Sequence, residues 1–195
     1  GDNAGNFPLG INQLFQNDIR LPFGRWPNID SNDDGGYSTV DAQPSTNSIT
    51  DNELPALDWT GARIHIKGIR WYMLNREVTS NSGTTLTLNN FLQCWNNNCQ
   101  DWGYFISNHL ETLDQEGEWY FDEATNRVYV YSSAGVPTSV EGSAIIIDSE
   151  ETPFSGGIIL GNHLYNEINH IIIENLAIKH WVANGITTPR NLELT

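Results

Sequence analysis

Residues 156–195 limit the possible folds more than any other part of the chain. Gly156-Gly157-Ile158-Ile159-Leu160-Gly161 is followed by His170-Ile171-Ile172-Ile173-Glu174-Asn175-Leu176-Ala177-Ile178, then by Gly185-Ile186-Thr187-Thr188 and Asn191-Leu192-Glu193-Leu194. These are short β-branched strands cut by Asn and Gly corners. The two Gly-Ile starts, at 157 and 185, stand 28 residues apart. A repeat of that size, built of short strands and no helix, reads as coils of a β-solenoid. A coil buries its apolar face only on a neighbouring coil. Two coils therefore lead to the expectation that more follow Thr195, precede Gly1, or both. Gly1 opens a polar stretch without a start methionine, so a leader or a larger N-terminal portion is expected ahead of it.

Upstream the pattern is different. Residues 1–19 read as a lead-in strand around Ile11–Phe15, or as part of an earlier coil. Residues 20–155 read as a β-rich lobe. Pro22 and Pro27 suit an extended edge segment and exclude a helix interior. Ala62, Ile64, Ile66 and Gly68 alternate with Arg63, His65 and Lys67, the period of a half-buried strand. Strands over Trp71–Thr79 and Thr84–Leu88 continue it as a meander. Residues 108–113 suit a helical turn or a loop. Glu118–Asp122 and Arg127–Tyr131 flank the polar turn Glu123-Ala124-Thr125-Asn126 and predict a hairpin. Ala144–Asp148 reads as a further strand. The fold class expected is all-β: a meander and hairpin lobe leading into the first coils of a right-handed parallel β-helix. Asn, Thr, Ser and Gly replace charge, which makes up 17% of residues, and such a composition favours turns over long helices.

The net charge of −15, with Lys67 and Lys179 the only lysines, repels phosphate backbones and excludes nucleic acid as a partner. An anionic polysaccharide is repelled too, unless a local patch or a bound cation reverses the field. The acidity is compatible with divalent cations, and equally with a surface tuned for solubility. No apolar run is long enough to span a membrane.

Five groups of residues are candidates for chemistry. Asp30-Ser31-Asn32-Asp33-Asp34-Gly35, closed by Asp41 at the twelfth position, has calcium-loop spacing. Asp30, Asn32, Asp34 and Asp41 would supply the oxygens. No flanking amphipathic helix accompanies them, so an ordinary Asp/Asn/Gly turn is the competing reading. Cys94 and Cys99 bracket Trp-Asn-Asn-Asn, a polar turn that a disulfide can close; two free thiols are the alternative. A disulfide implies an oxidising, extracellular setting. Trp95, Trp102 and Tyr104 suit a platform for the apolar faces of sugars, or else loop anchoring and core packing. Asp114, Glu116, Glu118 and Asp122 invite a glycosidase reading, though an acidic chain produces such clusters readily. Glu174, Lys179 and His180 suit the start of a groove or simple solvent-facing positions.

Three segments carry a resemblance. Gln13-Leu14-Phe15 precedes Gly24-Arg25-Trp26-Pro27-Asn28; Trp59-Thr60-Gly61-Ala62 follows; then come Leu113-Asp114-Gln115-Glu116-Gly117-Glu118-Trp119-Tyr120-Phe121-Asp122 and Val128–Tyr131. In this order they resemble secreted bacterial right-handed parallel β-helix proteins of the pectate-lyase-like superfamily. The resemblance implies a lobe inserted between early coils, an extracellular context and a link to polysaccharide. It implies no catalytic residue here, because the chemistry of such proteins usually lies on later coils. Two functions are thus expected to compete. One is polysaccharide binding or processing, as a lyase or glycoside hydrolase if an enzyme. The other is a structural or adhesive surface protein that self-associates through solenoid ends.

Overall fold

The computed structural model describes residues 11–29, 35–137, 139–144, 156–159, 172–180 and 184–187. The chain is all-β and mostly antiparallel, with two single-turn 3-10 helices, Trp95–Asn97 and Leu110–Thr112, among the described residues. The strands are β1 (Ile11–Gln16), β2 (Ile19–Arg20), β3 (Arg25–Trp26), β4 (Ser38–Thr39), β5 (Ala42–Ser45), β6 (Ser48–Thr50), β7 (Arg63–Ile69) and β8 (Tyr72–Ser82). They continue as β9 (Thr85–Leu88), β10 (Gly103–Ser107), β11 (Trp119–Asp122), β12 (Arg127–Val130), β13 (Val140–Ala144), β14 (Gly156–Ile159) and β15 (Asn184–Thr187). Two compact units divide the chain: Pro22–Val136, and Gly1–Leu21 with Pro137–Thr195.

The Pro22–Val136 unit is built on an eight-stranded sheet in the order β3-β10-β7-β8-β9-β6-β5, with β4 also on β10. The long β8 shapes it. Tyr72–Glu77 pairs with β7, and Val78–Ser82 pairs with β9 with a register shift between Val78 and Ser80. One strand thereby joins two halves of the sheet. Both halves contribute to a single apolar core: Ile64 and Ile66 from β7, Ile49 from β6, Leu86 and Leu88 from β9, Ile106 from β10, and Trp59 beside them. Burying each such side chain contributes about 1.5–3 kcal/mol. The alternation seen over Ala62–Gly68 is the core face of β7, and the meander is β7-β8-β9. The predicted hairpin is β11–β12, with Tyr120 and Tyr129 cross-paired and their rings stacked at 5.8 Å.

Within Pro22–Val136 the segments that carry the resemblance meet in space. Phe23 bridges Trp119, and their rings contact edge to face at 4.6 Å. Gly24 donates its N–H to the Trp119 carbonyl, and a side chain at Gly24 would strike Thr112 and Leu113. Trp26 packs on Trp59 and Tyr104. Arg25 lies over Phe105 at 4.0 Å, donates to the Gly36 carbonyl, and is lowered in pKa by burial. These residues lock Phe23–Asn28 against Thr112–Asp122.

The second unit holds an antiparallel sheet, β13-β1-β2, and a parallel pair, β14–β15. β1 is therefore not part of a parallel coil among the described residues: its neighbours β2 and β13 both run against it. β13 spans Val140–Ala144, where Glu141 pairs with Phe15 and Ala144 with Ile11; of the strand expected over Ala144–Asp148, residues 145–148 lie outside the described residues. β14 and β15 run parallel, Ile158 beside Ile186, at the spacing of the two Gly-Ile starts. The described residues show this single parallel pair and no stack of coils. No helix among them is long and apolar enough to cross a membrane.

Candidate functional site

The structure concentrates exposed tryptophan at one end of the large sheet. β7 and β8 are joined by Arg70-Trp71, a two-residue turn closed by the Ile69–Tyr72 pair. A side chain at such a tip has no cross-strand neighbour, and Trp71 is 74% exposed. Opposite it runs the loop after β9. The Tyr72 hydroxyl donates to the Gln93 carbonyl at 3.2 Å and ties loop to hairpin. Cys94 and Cys99 are buried and joined by a disulfide. Between them Trp95 starts a 3-10 turn, with Asn96 and Asn97 in the left-handed region, and is 59% exposed. Trp102 follows; its N–H donates to the Cys99 carbonyl and its own carbonyl accepts from Val40.

Ile69, Arg70, Trp71, Trp95 and Trp102 line a cleft of about 380 Å³. That is the size of a small-ligand site. Its lining is almost wholly apolar, and among these residues Arg70 alone is charged. Flat indole faces with one planar cationic donor suit a ring that has apolar faces and hydrogen-bonding edges. Ile69, Arg70, Trp71, Trp95 and Trp102 include no carboxylate.

Two of the three aromatic candidates line this cleft. Tyr104 does not: it is 0% exposed, on the core face of β10, and no ligand can stack on it. Its hydroxyl donates to Asp51 Oδ2 at 2.7 Å, and the same oxygen accepts from Ser38 Oγ at 2.5 Å. Burial, then the Asp51 hydrogen bond, push the Tyr104 pKa far up, so it stays a neutral donor. Trp71 and Arg70, which strand periodicity placed inside or beside a strand, were missed. The signal was available in the unpaired Arg-Trp between two alternating runs.

The other candidates sort as follows. Asp30, Asn32 and Asp34 lie outside the described residues; Asp41 is exposed, and its Oδ2 accepts the Asn52 N–H at 2.8 Å. Each of the four carboxylates of 114–122 accepts a hydrogen bond from the chain: Glu118 and Asp122 within local turns, Asp114 and Glu116 from distant segments. Glu118 is buried and takes the N–H groups of Asp114 and Gln115, and burial raises its pKa. Glu116 is held low by Ser133, Asp122 is held low by Thr125, and Asp114 accepts from Asn28 at 2.7 Å.

In the second unit, donor atoms of Asp18, Glu141 and His180 lie within 4.8 Å of one another. This is a donor set that a cation could use. The Lys179 ammonium already sits 2.6 Å from Asp18, and His180 Nδ1 is 2.8 Å from Glu141 with its ring stacked on Phe15. Lys179 holds the Asp18 pKa down, and Asp18 raises that of Lys179. Asp18 is thus already paired with Lys179, and Glu141 is hydrogen-bonded to His180. Glu174 is exposed.

No family model matches the chain, and no curated protein matches it. Among solved structures it is similar to part of a glycoside hydrolase, with a TM-score of 0.48 and 18% identity over 71% of this chain. The chain spans 27% of that structure's length.

Proposed function

We propose that the chain binds glycan through the Trp71–Trp95–Trp102 cleft. The observation that carries this reading is the cleft itself: indoles at the mouth of an apolar pocket, two of them more than half exposed, with Arg70 at its edge. A contiguous exposed apolar patch marks an interaction site or ligand groove. Sugar rings offer C–H faces to indole and hydroxyl edges to guanidinium. The cleft would hold a glycan for chemistry performed elsewhere in a larger extracellular protein. The Cys94–Cys99 disulfide supports the extracellular part, because such bonds persist in oxidising compartments. The parallel pairing of β14 with β15 at the spacing of the Gly-Ile starts supports reading residues 156–195 as coils of a parallel β-helix.

The test is titration of the chain with cellohexaose, xylohexaose and oligogalacturonate, followed by tryptophan emission and calorimetry. The expected result is binding of at least one, lost in Trp71→Ala and Trp95→Ala. Absence of binding to every member, or binding indifferent to both substitutions, would count against the cleft as a glycan site.

A further inference from the structure

The disulfide touches every segment that carries a tryptophan of the cleft. Cys94 directly precedes Trp95. The Cys99 carbonyl accepts the Trp102 N–H at 3.1 Å. Cys94 Sγ lies against β7 at Gly68, where an added Cβ would approach it to 3.2 Å, one residue before the cleft-lining Ile69. Cys99 is anchored further: its N–H donates to Gln43 Oε1 at 2.7 Å. Trp102 is fixed on both sides by backbone bonds of Asp101 and Trp102 with Val40. Trp95 has no such anchorage. The backbone bonds of Asn97 and Asn98 go to Cys94 and Trp95, and among the described residues no hydrogen bond links 95–98 to a strand. Three consecutive exposed asparagines add no buried apolar group to hold the turn.

We infer that Cys94 and Cys99 are positioning residues for the glycan cleft, and that their disulfide makes ligand binding depend on oxidation. This rests on the proposed glycan-binding role of the cleft. The bond fixes the Trp95 wall to the Trp102 wall and to β7. Its reduction by a dithiol breaks the S–S bond and forms two cysteine S–H bonds, while the reductant's two thiols give up two protons and two electrons and close to a disulfide. Trp95 then keeps only its local turn, and its ring must be ordered by the ligand. Ordering one large side chain on binding lowers affinity by about five- to tenfold.

The experiment compares the oxidised chain, the same chain after dithiothreitol, and Cys94→Ala/Cys99→Ala. Each is titrated with whichever of cellohexaose, xylohexaose and oligogalacturonate binds the oxidised chain best. Acrylamide quenching assigned to Trp95, by subtraction of the matching Trp95→Phe protein, is measured without ligand. The inference expects weaker binding in both opened forms, restored on reoxidation, and more quenchable Trp95 while the rest of the sheet still unfolds cooperatively. Equal affinity in oxidised and opened forms overturns it. If no sugar binds any form, the glycan reading falls by itself. Quenching then decides the positioning role: unchanged Trp95 accessibility on opening overturns it, and increased accessibility sustains it. Should the double variant fail to fold, the dithiothreitol arm on folded protein gives the same decision.

Discussion

Two aromatic regions within Pro22–Val136 use the same residue types to opposite ends. In the first, Phe23 and Trp119 knit Phe23–Asn28 to Thr112–Asp122, Trp26 packs on Trp59 and Tyr104, and Trp119 is 1% exposed. Nearly every polar group there is spoken for, Glu118 by two backbone N–H groups and Asp114 by Asn28. In the second, Trp71 and Trp95 stand at a turn tip and on a disulfide-closed loop, with their rings largely in water. The contrast teaches that aromatic content alone predicts neither core nor site. What separates them is whether the backbone carrying the ring is paired within the sheet or projects past its end. The first region is held by packing and should fail through stability. The second is held by a covalent tie and should fail through binding.

The largest effect expected from breaking that comparison is at the packed region. Trp119→Ala removes a buried indole and should cost about 3–5 kcal/mol in denaturant unfolding. A cost below about 1 kcal/mol would show that the motif segments do not hold the lobe together.

Next in size is acid. His65 lies between β10 and solvent, stacked on Phe105 at 4.4 Å and bonded to Ser107 at 2.8 Å. Burial, then Arg25 and Arg63, lower its pKa from 6.5 to about 4. Between those values the unfolded chain binds a proton that the folded chain refuses. Stability therefore falls as pH drops from 6.5, and the loss is complete below about 4. Allowing for partial exposure, the loss is about 2 kcal/mol. Unfolding curves of His65→Gln across this range should be flatter than those of the parent, and an identical slope would remove His65 as the cause.

A smaller effect is expected in the core network. Tyr104→Phe leaves Asp51 Oδ2 with Ser38 as its remaining side-chain donor and should cost about 1–2 kcal/mol. Glycan affinity should not change, since the ring lies inside the sheet. Any loss of binding would mean that Tyr104 supports the cleft from beneath.

The smallest stability effect belongs to the exposed region. Trp95→Ala should move the unfolding free energy by no more than about 0.5 kcal/mol. Its affinity for the sugar that binds the parent should nevertheless drop about fivefold or more. A large stability loss with binding intact would reverse the distinction between the two regions.

Much of this was legible in the chain. The β11–β12 hairpin was, because two alternating aromatic runs around Glu123–Asn126 leave few other arrangements. So was β7, whose apolar positions alternate strictly. The partnership of β14 and β15 followed the repeat spacing. Tyr104 was misread although Tyr104 and Ile106 alternate with the less buried Gly103 and Phe105, because the nearby tryptophans drew it into a loop that ends before Gly103. Trp71 was misread because a turn's place depends on the register of the strands on either side. That register is set by β8's pairing with β7 and β9 together.

The sequence by itself determined that the described residues form strands rather than long helices, where the hairpin turns, and that Cys94 and Cys99 are close enough along the chain to be joined. Those properties depend on residues a few positions apart: side-chain alternation, turn chemistry and short loop closure. Only the tertiary structure decided which tryptophans are buried and which face outward. Trp71 comes from the β7–β8 turn and Trp95 and Trp102 from the loop between β9 and β10, and their meeting depends on where β7, β8 and β10 end relative to one another. That alignment is fixed by long-range pairing and by a core assembled from both halves of the sheet, which no local pattern specifies.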